Sequence, residues 1–136
     1  MQTFTYRNNR LSEVTDCQTG QTTVYLWSYN NSYPVAEIIN ATYTEVMNHL
    51  SSSALQTLRT SYTPNMQVVN ALRSALPGSL VVTRTFAPLV GVTSETDAAG
   101  NTTYYDYDGL GRLHRVYIMH GNDVEILKQY EYKFSY

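Results

Sequence analysis

Two carboxylates close together are the first place to look for chemistry in this chain. Asp106 and Asp108 flank Tyr107, and in an extended strand residues two apart share a face, as a general acid and base must. Asp108, however, leads directly into Gly109-Leu110-Gly111, and an aspartate that opens a turn accepts from the backbone N–H groups inside it. The turn reading accounts for both carboxylates. His49, His114, His120 and Cys17 are the remaining ligand types, but their spacing fits no metal site, so no metal and no cofactor are expected. Gly109-Leu110-Gly111 has no helical pattern after it to hold a phosphate. No nucleophile elbow, zincin, Walker or dinucleotide pattern occurs in a suitable context. No catalytic residue is expected, and an enzyme is not the reading.

Tyrosine offers different chemistry. The chain has 13 tyrosines and one tryptophan, Trp27. Rings set beside Asn, Gln and Thr can stack on sugars, which makes a carbohydrate- or cell-surface-partner-binding module the alternative function, its glycan-contacting residues unknown. The favoured reading is that the rings form cross-strand ladders that seal one face of a sheet. Asn30-Asn31-Ser32, Asn40-Ala41-Thr42 and Asn101-Thr102-Thr103 match the glycosylation pattern but read more simply as turn and cap residues.

These residues sit on elements with period-two alternation. Short runs around Phe4–Tyr6, Leu11–Thr15, Gln21–Tyr29 and Tyr33–Ile39 are separated by brief turn clusters, and connections so short join only antiparallel neighbours. Strands resume at Leu80–Phe86, Val90–Thr96, Thr102–Tyr107 and Arg112–Met119. A final run places Ile126, Lys128, Tyr130, Tyr132, Phe134 and Tyr136 on one face. Between the two groups, residues 42–77 read as a helical insert. Thr42 and Glu45 form a capping box, Ser53 and Gln56 repeat that signal, and Thr63-Pro64 offers a cap with a first-turn proline. Tyr43, Val46, Met47 and Leu50, then Met66, Val69, Leu72 and Leu76, supply apolar helical stripes. The expected fold is mainly β (α+β by content): antiparallel stacked hairpins, a curved meander of about nine strands, with one helical insert.

Composition bounds the function. At 136 residues the chain has the length of one domain, 1–136. Nine Lys and Arg against eleven Asp and Glu give a net charge of −2. That leaves no basic footprint for nucleic acid, and no segment approaches the apolar length of a membrane span. One cysteine, Cys17, builds no internal disulfide framework and is expected as a partly buried thiol. The beginning lacks a secretory pattern and starts in strand-like sequence, which suggests a piece of something longer.

The informative feature is self-similarity. Gly100-Asn101-Thr102-Thr103-Tyr104-Tyr105 matches Gly20-Gln21-Thr22-Thr23-Val24-Tyr25. Tyr107–Val116 aligns with Tyr29–Ile38 after a two-residue shift, and with the shorter Tyr6–Val14. Thr85-Phe86 and Tyr130-Glu131-Tyr132 are tails of further copies. Each copy reads as a hairpin with an aromatic residue entering the turn and an aliphatic one leaving it. Gly109 and Gly111 are expected at positive φ, and Arg112 beside the Asp108 carboxylate. Leu113 and Val116 are three apart, so both face inward only if a bulge lies near His114-Arg115.

Tyr107-Asp108-Gly109-Leu110-Gly111-Arg112-Leu113, preceded by Gly100 and Thr103, resembles the YD repeat of the Rhs family, also found in teneurins and in the shell subunits of bacterial toxin complexes. The other copies are degenerate: Arg7 replaces the aspartate in the first, and Trp27-Ser28-Tyr29-Asn30 replaces the motif in the second. The resemblance implies a structural role for Gly100, Thr103, Tyr107, Asp108, Gly111, Arg112 and Leu113, and a sheet that forms part of a hollow shell in a secreted or cell-surface bacterial protein. Its partners would be neighbouring repeats of a longer parent chain. The aspartate-based self-cleavage motif of toxin-releasing members is built around Asp-Pro, which does not occur here. Exposed sheet edges add the expectation of homo-oligomers formed by edge pairing.

Overall fold

A computed structural model describes residues 1–132. Phe134 and Tyr136, expected on the final strand, lie outside the described residues. Among those described, nine strands follow one another in a single sheet in chain order. They are β1 (Gln2–Arg7), β2 (Arg10–Asp16), β3 (Thr22–Ser28), β4 (Tyr33–Ile39), β5 (Leu80–Ala87), β6 (Gly91–Thr96), β7 (Thr102–Tyr107), β8 (Leu113–His120) and β9 (Asp123–Gln129). Helices α1 (Tyr43–Met47), α2 (Ser52–Thr60), α3 (Met66–Asn70) and α4 (Leu72–Ala75) fill the connection from β4 to β5. The mainly β, antiparallel meander with a helical insert agrees with the sequence pattern. The chain divides into two compact units, Met1–Thr83 and Arg84–Tyr136, with the division inside β5.

In the first unit the insert covers one face of the sheet. Val24 and Leu26 on β3, Ala36 and Ile38 on β4, and Val81 on β5 are buried beneath Val46, Leu50, Leu58, Val69, Leu72 and Leu76. The two stripes read from the sequence are therefore the core-facing sides of the helices, and helices this short depend on that burial for stability. The capping box forms: Glu45 N–H donates to Thr42 Oγ1, and Thr42 N–H donates to Glu45 Oε1, both at 3.2 Å. The other two starts fall elsewhere. Ser51, not Ser53, caps α2, accepting from Ala54 N–H at 3.1 Å. Asn65 caps α3, which leaves Pro64 before the cap. Ser51 and Asn65 hold extended backbone and accept from the first helical N–H groups, which is the geometry a cap needs, whereas Ser53 already lies inside α2.

Polar groups buried at this interface are bonded, as low dielectric requires. The Ser28 hydroxyl donates to Leu58 O at 2.6 Å, and Asn30 and Asn31 N–H donate to Ser61 O and Arg59 O. These bonds satisfy carbonyls at the end of α2 that the helix itself leaves open. They require Tyr29, Asn30 and Asn31 to adopt φ of 54°, 54° and 61°. Thr83, also buried, donates to Asn70 Oδ1 at 2.7 Å and accepts from Arg73 at 3.1 Å. At the neck of the insert, Ser79 Oγ donates to Asn40 O and Asn40 Nδ2 donates to Gly78 O. That clamp closes the insert at its base, so the hairpin tolerates a long excursion.

In the second unit β6, β7 and most of β8 are only half-buried, and β9 is exposed throughout. Tyr104 and Tyr117 are cross-strand partners whose rings stack at 5.3 Å. Beside them Arg115 lies over the Tyr117 ring and pairs with Asp106 at 2.7 Å. Asp106 is thus an ion-pair partner on the face opposite Tyr107.

Among the described residues, four bulges set the register. His114 is skipped between the pairs Asp106–Arg115 and Tyr107–Leu113, where the spacing of Leu113 and Val116 calls for an extra residue. Ser12 and Val35 are skipped at the matching places in the first two hairpins. The pairs Tyr107–Leu113 and Trp27–Pro34 correct the expected alignment of the second copy. Trp27, not Tyr29, occupies the place of Tyr107. No shift is needed within the strand, because the one extra residue lies in the turn. The fourth bulge, at Leu127, breaks the even alternation expected of the last run. Ile126 pairs with Tyr117 and Lys128 with Val116, so these two residues point to opposite faces.

Candidate functional site

The motif turn is built on one carboxylate. Asp108 Oδ1 accepts from Leu110 N–H at 2.9 Å and from Arg112 N–H at 3.0 Å, and Oδ2 accepts from Arg112 Nε at 2.8 Å. Asp108 N–H donates to Arg112 O, and Gly111 N–H donates to Asp108 O. Gly111 adopts φ +77°, whereas Gly109 does not enter the positive-φ region, so only the second glycine meets the sequence expectation. The Arg112 N–H, then the Leu110 N–H and the Arg112 guanidinium, hold the Asp108 carboxyl below its ordinary value against a desolvation cost. A carboxylate so engaged is a turn staple, not a general base.

The same turn recurs without the motif. Asp97 Oδ1 accepts from Ala99 and Asn101 N–H, Asp97 N–H donates to Asn101 O, and Gly100 donates to Asp97 O at φ +91°. Gly100 therefore serves a turn of its own. Thr103, the next motif position, pairs with Glu95 on one side and Ile118 on the other. What distinguishes the Asp108 turn is the arginine that follows it.

That arginine and the leucine beside it touch the next hairpin. Arg112 lies 4.1 Å over the Tyr132 ring, and the Tyr132 hydroxyl donates to Leu113 O at 2.6 Å. In the first hairpin Arg10 lies 5.3 Å from the Trp27 ring, and Trp27 Nε1 donates to Leu11 O at 2.8 Å. The two clasps are chemically the same: a guanidinium on a ring, and that ring's polar hydrogen on the carbonyl of the following leucine. A third lacks the arginine. The Tyr107 hydroxyl donates to Val92 O at 2.8 Å, and Gly91 stands where the other clasps have Arg. A Cβ on Gly91 would lie 2.6 Å from that hydroxyl, and Gly91 adopts φ +155°. Burial, with Tyr105 adding a smaller contribution, pushes the Tyr107 phenol above its ordinary value, so it stays a donor.

Sequence reading found Tyr107, Asp108, Gly111, Arg112 and Leu113 but missed Arg10, Trp27, Gly91 and Tyr132 as their partners. The repeated Arg-Leu pair at Arg10-Leu11 and Arg112-Leu113 was the available signal. The structure also modifies the expected aromatic ladder. Tyr104 and Tyr117 do stack, but Trp27, Tyr107 and Tyr132 act through hydrogen bonds to backbone across hairpins.

The remaining candidates stand apart. Cys17 is exposed, not partly buried as expected, because it lies in the β2–β3 turn, with Thr3 Oγ1 at 3.3 Å. His120 Nε2 lies 2.5 Å from Glu125 Oε2, and His114 Nδ1 lies 3.2 Å from Tyr130 O. Among the described residues no three His, Cys, Asp or Glu side chains converge on a metal position. No described helix is long and apolar enough to cross a membrane. A groove of about 320 Å³ on the insert, lined by Ala54, Thr57, Leu58 and Val68 among others, carries no charged side chain. No protein-family model matches the chain, and no curated protein matches it.

Proposed function

We propose that this chain is a non-catalytic structural module of the YD-repeat kind, a run of β-hairpins forming part of the curved wall of a larger secreted or cell-surface protein. The observation that supports this reading is the repeated clasp. Trp27 on Leu11 O, Tyr107 on Val92 O and Tyr132 on Leu113 O each join one hairpin to the one before it. A lone hairpin is marginal in water, and a repeat protein gains stability from nearest-neighbour interfaces of this sort. Three of the motif's residues, Tyr107, Arg112 and Leu113, act at such interfaces, while Asp108 and Gly111 shape the turn between them. Neighbouring repeats of a parent chain are the partners this role requires.

Calorimetric titration with a broad glycan panel, read in parallel by Trp27 fluorescence, tests the assignment. A wall segment gives no saturable binding. Saturable binding lost on Tyr6→Ala or Tyr62→Ala, whose rings are both exposed, would replace the wall with a carbohydrate-binding module.

A further inference from the structure

The first two hairpins part company beyond Glu13. β2 and β3 pair only from Thr15–Thr22 to Glu13–Val24. Past that point Ser12 is bulged out of its own hairpin, and the strands are joined instead by the Trp27 indole on Leu11 O. The gap left there is closed on the insert side by Tyr43, Leu55 and Arg59, and Arg7 lines it from β1. Two guanidiniums line this gap and, among the described residues, no carboxylate does. We propose that it is a binding site for a small organic carboxylate, held by Arg59 and Arg7 with its stem against Trp27 and Leu55.

The charge balance calls for one anion. Arg59 and Leu55 are four apart on α2 and share a face. The Arg59 guanidinium donates to the neutral Gln56 side chain, and no carboxylate pairs with it among the described residues. Arg7 Nη1 donates to Ser12 Oγ at 2.8 Å and to Glu13 Oε1 at 2.9 Å, and the guanidinium lies 3.7 Å over the Tyr43 ring. Those contacts fix Arg7 and leave its other two nitrogens without a bond among the described residues. Glu13 is engaged on both sides, since its Oε2 accepts from Tyr43 N–H at 2.9 Å. Two arginines against one glutamate leave a single positive charge in excess.

The size selects the anion. The gap has room for about two water-sized atoms, about 30 Å³. That matches the two oxygens of a carboxylate and is too small for the four of a phosphate or sulfate, and a planar guanidinium meets a carboxylate through two parallel bonds. Tyr25 also lines the gap, and its hydroxyl has no partner among the described residues. Burial, with Glu37 adding a smaller contribution, pushes the Tyr25 phenol above its ordinary value, so it stays protonated and able to donate. Arg7 is 35% exposed, so the gap is reached from solvent. The site lies wholly within the first unit, and neither Tyr6 nor Tyr62 lines it. It does not rest on the wall reading, because a wall segment can carry such a site and the two tests use different ligands.

Trp27 is the only tryptophan and lines the gap, so its fluorescence reports occupancy. Titration of the full chain with sodium propionate at constant ionic strength should give a saturating change in the millimolar range. Propionamide, which keeps the shape and lacks the charge, should give none, and sodium phosphate and sulfate should bind at least about tenfold more weakly. Arg59→Gln should weaken propionate by about tenfold or more, and the nearly isosteric Tyr25→Phe by about threefold. Far-UV circular dichroism confirms that each variant is folded. No saturable change up to about 100 mM propionate overturns the proposal. So does an equal response to propionamide or to the inorganic anions, which would make the gap an apolar or an unselective site. Propionate binding unchanged in both variants would place the contact elsewhere and reject this site.

Discussion

Gly91 and Tyr107 are the most exacting contact in the second unit, and Gly91→Ala probes it directly. Two costs add. An alanine at φ +155° occupies backbone space that only glycine enters easily, worth about 1–3 kcal/mol. Its Cβ would also lie 2.6 Å from the Tyr107 hydroxyl, forcing that group off Val92 O and forfeiting a hydrogen bond of about 1 kcal/mol. The single variant should therefore lose about 2–4 kcal/mol. Tyr107→Phe alone should lose about 1 kcal/mol. In the double variant the hydroxyl is gone before the methyl arrives, and the nearest remaining atom is the ring carbon at 3.2 Å. That contact is tight but yields to a small ring shift. The hydrogen bond is then lost once instead of twice, so the double variant should be about 1 kcal/mol more stable than the sum of the singles predicts. Urea unfolding followed by far-UV circular dichroism measures each corner of the cycle. Trp27 is no probe of this contact, because it belongs to the first unit. Additivity within about 0.3 kcal/mol would refute the reasoning, as would a neutral Gly91→Ala, because neither fits a glycine kept for the approach of that hydroxyl.

Other outcomes follow from the same physics. Because the folded state lowers the Asp108 pKa below 3.8, its contribution is present above that value and disappears as pH falls through the depressed one. Asp108→Asn should remove that part of the acid sensitivity, and acid titration of the thermal midpoint checks it; an unchanged acid limb would show that the turn does not depend on the carboxylate. Leu26→Ala, at a fully covered position beneath α2, should cost about 2–5 kcal/mol and shift the Trp27 fluorescence transition to lower denaturant.

Local pattern carried much of the architecture. Alternation and turn residues together placed the nine strands: β3 alternates buried and half-buried along its length, whereas the exposed β1 and β9 are bounded by their turns, and the stripes at Val46–Leu50 and Val69–Leu76 located the insert. The bulge at His114 was legible too, since Leu113 and Val116 cannot both face inward without one. Helix starts were less legible. Ser51 and Ser53 are equally good caps by type, and only the position of α2 over β3 decides between them. The bulge at Leu127 left no trace in composition, because exposed residues on an edge strand follow no burial pattern.

What the sequence determined by itself is therefore the hairpin: its strands, the Asp108 turn and the positive φ at Gly111, all fixed by contacts within a few residues. What tertiary structure alone decided is how one hairpin holds the next. Arg10 meets Trp27, Arg112 meets Tyr132, and Gly91 makes room for Tyr107. These partners lie 16 to 20 positions apart along the chain. Nothing local in the residue types sets them face to face; the sheet register does, by carrying each ring back over the carbonyl of the strand that came before.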